Sequence, residues 1–187
     1  MNKTFESRLV EQGAPTLAGI KPGSLFPYAS EKGENVSEIL GYWNGKLAGK
    51  GVFLRRLREN DNRHLILVFR PKELERILCD QNVSLFLRER GYCGCGKLDD
   101  YVEILSRRMN AAPPFPHEIG VFLGYPLNDV IGFINNEGQN SHCCGYWKVY
   151  GERESAEHCF RRFDKCTSIY KKLFYSGKTV LQLTVAA

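Results

Sequence analysis

The sequence places a histidine and a glutamate side by side at His117 and Glu118, directly after a Pro-Pro-Phe-Pro run. An imidazole titrates near neutral pH and binds metals, so His117 is a candidate general base or metal ligand with an acidic neighbour. Successive side chains on a strand point to opposite faces, so the two act together only if no strand has begun at His117. The alternative is a structural pair, with the histidine bonded to a loop carbonyl and the glutamate to an arginine.

Two pairs of closely spaced cysteines form a candidate site for a soft metal ion. Cys93 and Cys95 flank a glycine, and Cys143 and Cys144 are adjacent and follow His142. Four thiolates from these two loops would give a tetrahedral site for iron or zinc. The Cys-x-Cys spacing is tighter than that of zinc ribbons, and the alternative is a set of ordinary buried or exposed thiols.

A cysteine nucleophile is a third interpretation of these side chains. Cys144 or Cys166 would attack, with His117 as the base that activates the thiol. No local signature of a known cysteine hydrolase accompanies either cysteine. Cys166 also lies at helical spacing from Phe163 and Tyr170, which favours packing in the core.

Aromatic residues around a lysine indicate a surface for phosphate or for a flat cofactor such as flavin or haem. On a strand Tyr146, Lys148 and Tyr150 would share a face. Tyr125 stands in a Gly-Tyr-Pro turn ahead of a predicted helix, whose N-terminus would attract anions. Tyr125, Lys148 and Tyr150 are therefore the cofactor-binding candidates. The same pattern is typical of a half-buried strand and of a strand-to-helix turn without a ligand.

Composition and charge limit the classes of protein to which the chain can belong. Hydrophobic residues make up 43% of the 187 residues, which excludes wholesale disorder and fits a single domain over residues 1–187. The net charge of +5 is compatible with phosphate or nucleic acid. The basic run at Arg55, Arg56, Arg58 and Arg63 lacks the stacking aromatics of nucleic-acid modules, so we expect no nucleic-acid partner.

The chain has neither an apolar leader nor a run of ~18 apolar residues. We therefore expect a cytoplasmic protein with no membrane span. Thiols stay reduced in that compartment, which agrees with the odd number of seven cysteines.

Periodicity and turn residues predict an α/β or α+β fold, with a mixed β-sheet that contains an antiparallel hairpin and is flanked by helices. Residues 65–69 are apolar on both faces, which predicts a central strand. The predicted strands cover residues 52–58, 64–70, 118–123, 145–150 and 179–185. The predicted helices cover residues 3–12, 37–48, 72–79, 84–90, 98–109, 127–134 and 153–175.

Four stretches of the chain resemble a bacterial family of domains of unknown function, found mainly in anaerobes. They are APTLAGIKP at residues 14–22, PHEIGVFLGYP continuing to DVIGFI at 116–134, GYWKVYG at 145–151, and KCT at 165–167. The resemblance implies an association with iron or redox physiology. A flavodoxin-like or iron-uptake protein is the partner that it implies.

The candidate residues converge on one region, where the predicted strands 118–123 and 145–150 meet their loops. Loops at strand ends expose polar groups and helix N-termini together, so we expect His117, Tyr125 and Cys144 to line one cleft. Two hypotheses remain open. One is a binding or regulatory protein of iron or redox physiology without its own chemistry. The other is a group-transfer or hydrolytic enzyme that uses a Cys–His or His–Glu site.

Overall fold

The structure is a computed structural model that describes residues 4–93, 96–111 and 113–186. These ranges contain both helices and strands, and a short 3-10 turn follows α2. The helices are α1 (Phe5–Leu17), α2 (Val36–Leu47), α3 (Pro71–Leu78), α4 (Gln81–Arg88), α5 (Leu98–Asn110), α6 (Ile119–Phe122), α7 (Leu127–Asn135), α8 (Arg153–Tyr175) and α9 (Val180–Leu183). The strands are β1 (Gly23–Ala29), β2 (Phe53–Asn60), β3 (Arg63–Phe69), β4 (Cys143–Cys144) and β5 (Lys148–Val149).

The main sheet has three antiparallel strands in the order β1-β3-β2. β2 and β3 form the predicted hairpin, and Asp61 in its tight turn takes a left-handed φ of 51°. β3 is the central strand, as its apolar residues on both faces predict. β1 has no counterpart in the sequence prediction. Its Pro27 weakens the strand pattern and is tolerated because β1 lies at the edge of the sheet.

Successive side chains of β3 belong to two different cores on opposite faces of the sheet. Leu67 and Phe69 pack with apolar residues of α3 to α7. Ile66 and Val68 pack with apolar residues of α1, α2 and α9. The predicted class, a sheet that contains an antiparallel hairpin and is flanked by helices, is confirmed.

The strand predicted at residues 118–123 is wrong, because this segment contains the one-turn helix α6. Every residue of the segment is buried, and a short apolar run with this burial fits a covered strand and a buried helix equally well. All strand pairings among the described residues are antiparallel.

The strand predicted at residues 145–150 is confirmed only at Lys148–Val149, and the one predicted at 179–185 is wrong. The first segment is the turn and second strand of a small hairpin, in which β4 pairs with β5 and Gly145 N–H donates to the Trp147 carbonyl (3.0 Å). The second segment contains α9. The Thr179 hydroxyl accepts from Gln182 N–H (3.2 Å), and the Gln182 side chain accepts from Thr179 N–H (3.0 Å). This capping box stabilises a helix in a segment whose alternating apolar pattern predicts a strand.

Helix ends depend on local hydrogen bonds that the sequence indicates only in part. Pro71 begins α3 at its first position, one residue before the predicted helix 72–79. α1 continues through Pro15 to Leu17 instead of ending before Gly13. Asn35 caps α2, because its side chain accepts from the N–H groups of Ser37 and Glu38.

None of the helices in the described ranges combines the length and apolar character needed to cross a membrane.

The burial of β3 predicts a large stability cost for Leu67→Ala. Leu67 is fully buried between the sheet and the helices, so truncation removes apolar contacts and leaves a cavity. We expect a loss of about 2–5 kcal/mol in the free energy of unfolding, measured by denaturant titration. Leu85→Ala is the matched control, since half of that side chain is exposed, and it should cost less than about 0.5 kcal/mol. Equal costs at the two leucines would contradict the assignment of β3 as the central strand.

Candidate functional site

A cleft of about 290 Å³ lies between α6, α7 and the β4–β5 hairpin. It brings together His117, Tyr125, Cys144 and Lys148, four of the residues that the sequence singled out. Three of them, His117, Tyr125 and Cys144, were expected to share one cleft, and they do.

The carboxylate of Asp129 holds the hairpin against α7. Its Oδ1 accepts from the N–H groups of Tyr150 (2.8 Å) and Gly151 (2.7 Å), and its Oδ2 accepts from Trp147 Nε1 (2.7 Å). Asp129 is itself buried, so these three hydrogen bonds replace the water that the charge loses. The carboxylate thereby fixes the position of the Trp147 ring, which lines the cleft.

Aromatic rings form part of the cleft wall. The Tyr125 ring stacks on Trp147 with centroids 4.9 Å apart, and Trp147 meets Phe160 edge-on at 4.6 Å. On the other side, the imidazole of His117 lies 4.8 Å from the ring of Phe133. Ring contacts at these distances are favourable.

The polar groups of the cleft are few and differ in character. His117 and Cys144 are exposed, and Lys148 is half-buried and donates to the carbonyl of Gly138. An ammonium has three donors, so Lys148 keeps donors for another partner. Burial raises the pKa of Tyr125 to about 12, so its phenol stays neutral at physiological pH.

Glu118 does not face the cleft that His117 lines. Its carboxylate is buried and accepts hydrogen bonds from Arg108 Nε and from the hydroxyl of Tyr92 (3.2 Å). Arg108 and Tyr92 come from other parts of the chain, so Glu118 ties the α6 turn to the core around α5. The structure therefore separates the two members of the predicted His–Glu pair.

Tyr150 is also placed outside the cleft. Its hydroxyl donates to the carbonyl of Gln139 (2.8 Å), and its ring packs so closely on Gly132 that a Cβ there would overlap it. The prediction that Tyr146, Lys148 and Tyr150 share one strand face is wrong, because the strand is interrupted by the hairpin turn.

The predicted four-thiol metal site stays a prediction. Cys95 lies outside the described residues, and Cys93 is exposed and donates to the carbonyl of Arg88 (3.5 Å). Within the described ranges, no three His, Cys, Asp or Glu side chains are close enough together to hold a metal ion. Cys143 and Cys144 form no disulfide, and neither do the other described cysteines.

Cys166 is a poor candidate for the nucleophile. It is half-buried on α8, and burial raises the pKa of its thiol to about 11, which disfavours the reactive thiolate. Cys144 lines the cleft together with His117, but no hydrogen bond among the described residues joins them.

The basic run on the β2–β3 hairpin is partly neutralised. Arg55 pairs with Glu103 (3.2 Å) on α5, and Arg56 pairs with Glu59 (3.1 Å) on its own strand. These pairs reduce the positive field that a nucleic-acid surface would need.

Two residues of the site, Asp129 and Phe133, are missing from the candidates that the sequence provides. Asp129 stands in the first turn of α7, where an acidic residue is ordinarily explained by the helix dipole. Phe133 belongs to the apolar pattern of the same helix, which predicts a core residue. Neither pattern distinguishes a cleft wall from ordinary packing.

The fold and the cleft define a protein of helices and strands with an aromatic-lined cavity of ligand size. The chain belongs to the family described as "Protein of unknown function (DUF3793)", whose family model matches residues 9–184. This match confirms the resemblance to a family of domains of unknown function. No curated protein and no solved structure matches the chain.

The burial of Glu118 predicts a structural role for this carboxylate. Glu118→Gln removes the charge that pairs with Arg108 and should lower the free energy of unfolding by about 1–3 kcal/mol in denaturant titrations. Glu103→Gln is the control, because the Glu103–Arg55 pair is half exposed and should contribute less than about 1 kcal/mol. If Glu118→Gln cost no more than Glu103→Gln, the Glu118–Arg108 ion pair would not anchor the α6 turn.

The different environments of Cys144 and Cys166 predict different rates of alkylation. A thiol with a pKa of about 11 is ionised in about one molecule in a thousand at pH 8, and only the thiolate reacts. Mass mapping after iodoacetamide treatment at pH 8 should show the exposed Cys144 modified at least about tenfold faster. Unfolding in denaturant should bring the two rates together. Equal rates in the folded protein would show that Cys166 is not shielded.

Proposed function

We propose that this protein is a cytoplasmic small-molecule-binding protein that carries out no chemistry of its own. Its cleft would hold one planar conjugated ligand, the class to which the flavin ring belongs. The observation that carries the proposal is the ring-lined cavity of about 290 Å³. Flat apolar walls with a few polar groups are typical of small-molecule sites.

The size and the walls of the cleft narrow the class of ligand. The volume lies at the lower end of the ~300–1,000 Å³ usual for ligand sites, which favours a small fused-ring system over a macrocycle such as haem. The rings of Tyr125, Phe133 and Trp147 would contact the faces of such a ligand. His117 and Lys148 would bond to polar atoms at its edge.

We propose an iron or redox setting for this binding protein, and a flavodoxin-like or iron-uptake protein as its partner, on the basis of the family resemblance seen in the sequence.

An enzymatic function is supported less well than ligand binding. His117 and Cys144 line the same cleft, which is what a Cys–His enzyme requires. Their side chains share no hydrogen bond among the described residues, and Glu118 is engaged with Arg108. A ligand-binding site requires neither a hydrogen bond between Cys144 and His117 nor a Glu118 carboxylate that faces the cleft. Cys144→Ser should therefore leave the affinity for the ligand within about twofold.

Fluorescence of Trp147 provides a direct test of binding. The chain has two tryptophans, and Trp43 is buried in the other core, so Trp43→Phe leaves Trp147 as the single reporter. Riboflavin and its ring fragment lumichrome should quench this emission saturably with one site per chain. Phe133→Ala should weaken binding by about three- to tenfold, because one stacking wall is lost.

Tyr42→Ala is the matched control for the loss of an aromatic ring. Tyr42 is exposed on α2 and does not line the cleft, so this change should leave the affinity unaltered. The proposal fails if neither flavin nor other planar ligands quench Trp147, or if Phe133→Ala and Tyr42→Ala have equal effects.

A further inference from the structure

Most of the net positive charge of the chain lies on one helix, α8. Residues 158–175 contain five arginines and lysines and one aspartate, which gives this segment a formal charge of +4. The whole chain has a formal charge of +5, so the remaining residues are almost neutral in sum. A charge concentrated on one element attracts an oppositely charged partner and speeds its approach.

The basic side chains of this segment lie on the solvent-exposed side of α8. All five are exposed: Arg161, Arg162, Lys165, Lys171 and Lys172. Arg161, Lys165 and Lys172 follow one another at spacings of four and seven residues, which aligns them along one face of the helix. On the opposite side Phe163 is buried, and Phe174 packs against the core that includes α1. The cations therefore form a stripe that points away from the protein.

No described carboxylate forms an ion pair with these five cations. Asp164, the one acidic residue of the segment, accepts from the hydroxyl of Tyr146 (3.1 Å), and Glu157 is engaged with Arg153 one turn earlier. The basic run on the β2–β3 hairpin differs in this respect, because two of its arginines have carboxylate partners. The stripe on α8 is therefore the larger source of positive field.

Exposed apolar side chains accompany the cations on α8. Among the described residues, eight large hydrophobic side chains are exposed, and three of them lie in the last two turns of this helix: Ile169, Leu173 and Tyr175. Ile169 and Leu173 are four residues apart and therefore neighbours on one face, where Lys165 and Lys172 flank them. A small apolar centre with charged margins is the usual composition of a protein–protein interface.

Packing fixes α8 against the rest of the protein at two points. In its first half, Phe160 meets the ring of Trp147 edge-on, with centroids 4.6 Å apart. At its end, the hydroxyl of Tyr175 donates to the carboxylate of Glu11 on α1 (2.8 Å). A surface on a fixed element is preorganised, so a partner does not have to order it on binding.

An acidic protein surface fits this face better than a membrane or a nucleic acid does. A helix that binds a membrane buries its large apolar face in the lipid, and that face of α8 already packs against the protein. Surfaces for single-stranded nucleic acid place stacking aromatic rings between the cations, whereas α8 has the aliphatic Ile169 and Leu173 there.

We propose that the exposed face of α8 is a docking surface for a protein whose own surface is acidic around a small apolar centre. This basic face consists of Arg161, Arg162, Lys165, Ile169, Lys172 and Leu173. The inference goes beyond ligand binding and does not depend on the cleft.

Two matched helical peptides test the inference by fluorescence anisotropy with the full chain. The acidic peptide has leucines along one face and glutamates on both flanks, and the basic peptide has lysines in place of the glutamates. The acidic peptide should bind at least about tenfold more tightly at a salt concentration of about 0.1 M. The inference fails if the two peptides bind equally or if neither binds.

A double charge reversal on the basic face should remove this preference. Lys165→Glu combined with Lys172→Glu should weaken the binding of the acidic peptide by at least about tenfold. Lys32→Glu combined with Lys72→Glu is the matched control, because it changes the net charge equally at two exposed lysines outside α8. The control should stay within about twofold of the wild-type affinity. Equal losses in the two variants would show a general charge effect and would overturn the assignment to α8.

The melting temperature separates lost docking from lost folding. Lys165 and Lys172 are exposed and have no ion-pair partner among the described residues, so the charge reversal should leave the melting temperature nearly unchanged. If the reversal unfolds the helix, Lys165→Gln combined with Lys172→Gln removes the same two charges without adding acidic groups. That variant should weaken the acidic peptide by about threefold or more, and an unaltered affinity would contradict the inference.

The apolar centre has a matched test of its own. Leu173→Ser should weaken binding of the acidic peptide by about three- to tenfold, also at high salt, where charges are screened. Leu85→Ser is the control, because Leu85 is an exposed leucine on α4, and it should have no effect. Equal effects of the two substitutions would show that the partner does not contact an apolar centre on α8.

Other polyanions provide the outcome that would change the class of partner. Duplex DNA and vesicles that contain phosphatidylserine should bind more weakly than the acidic peptide at the same salt concentration. Tighter binding of either one would overturn the proposal of a protein partner. A chain that binds the acidic peptide but no planar ligand would keep the docking surface and lose the proposed function, so the two failures are distinguishable.

Discussion

The arrangement of the chain around the central strand depends on the buried guanidinium of Arg70. Its Nε donates to the carbonyl of Thr16 (2.7 Å), and its Nη2 donates to those of Leu17 (2.8 Å) and Val185 (2.7 Å). Two of these carbonyls lie in the last turn of α1, where the helix dipole is negative and attracts a cation. One side chain at the end of β3 therefore holds the end of α1 and the C-terminal segment in place.

The cleft also depends on a buried charge that is stabilised by hydrogen bonds, in this case the carboxylate of Asp129. Asp129 is buried at the start of α7 and is satisfied by two backbone N–H groups and the Trp147 indole. A buried carboxylate is tolerated only when such donors replace water, so Asp129 and the small hairpin require each other. The hairpin is too short to be stable alone, and its aromatic ring packs on Tyr125 and Phe160. Arg70 and Asp129 show that this fold compensates the charges it buries.

His117 and Glu118 are adjacent in the sequence but face different parts of the molecule. His117 lines the cleft, whereas Glu118 points into the core and pairs with Arg108. A strand would also place the side chains of His117 and Glu118 on opposite faces. The sequence therefore indicated their separation from a strand that does not form. In the one-turn helix α6 the separation arises because Glu118 is drawn to an arginine on α5. Tyr150 likewise leaves the face expected for it, because the hairpin turn changes the direction of the chain after Gly145.

The sequence by itself determined the elements whose patterns are long or chemically distinct. The β2–β3 hairpin, the proline-started α3 and the long helix α8 follow from periodicity and turn residues over many positions. The clustering of His117, Tyr125 and Cys144 in one cleft was also predictable, because the reactive residues are concentrated in two neighbouring loops. Only the tertiary structure decided that the short apolar segment in α6 is helical, since a few buried residues fit a strand and a helix equally well. It also decided the pairing of Asp129 with the hairpin and of Arg70 with the end of α1. These contacts join residues far apart in the chain, and their energies depend on burial, which no local pattern reports.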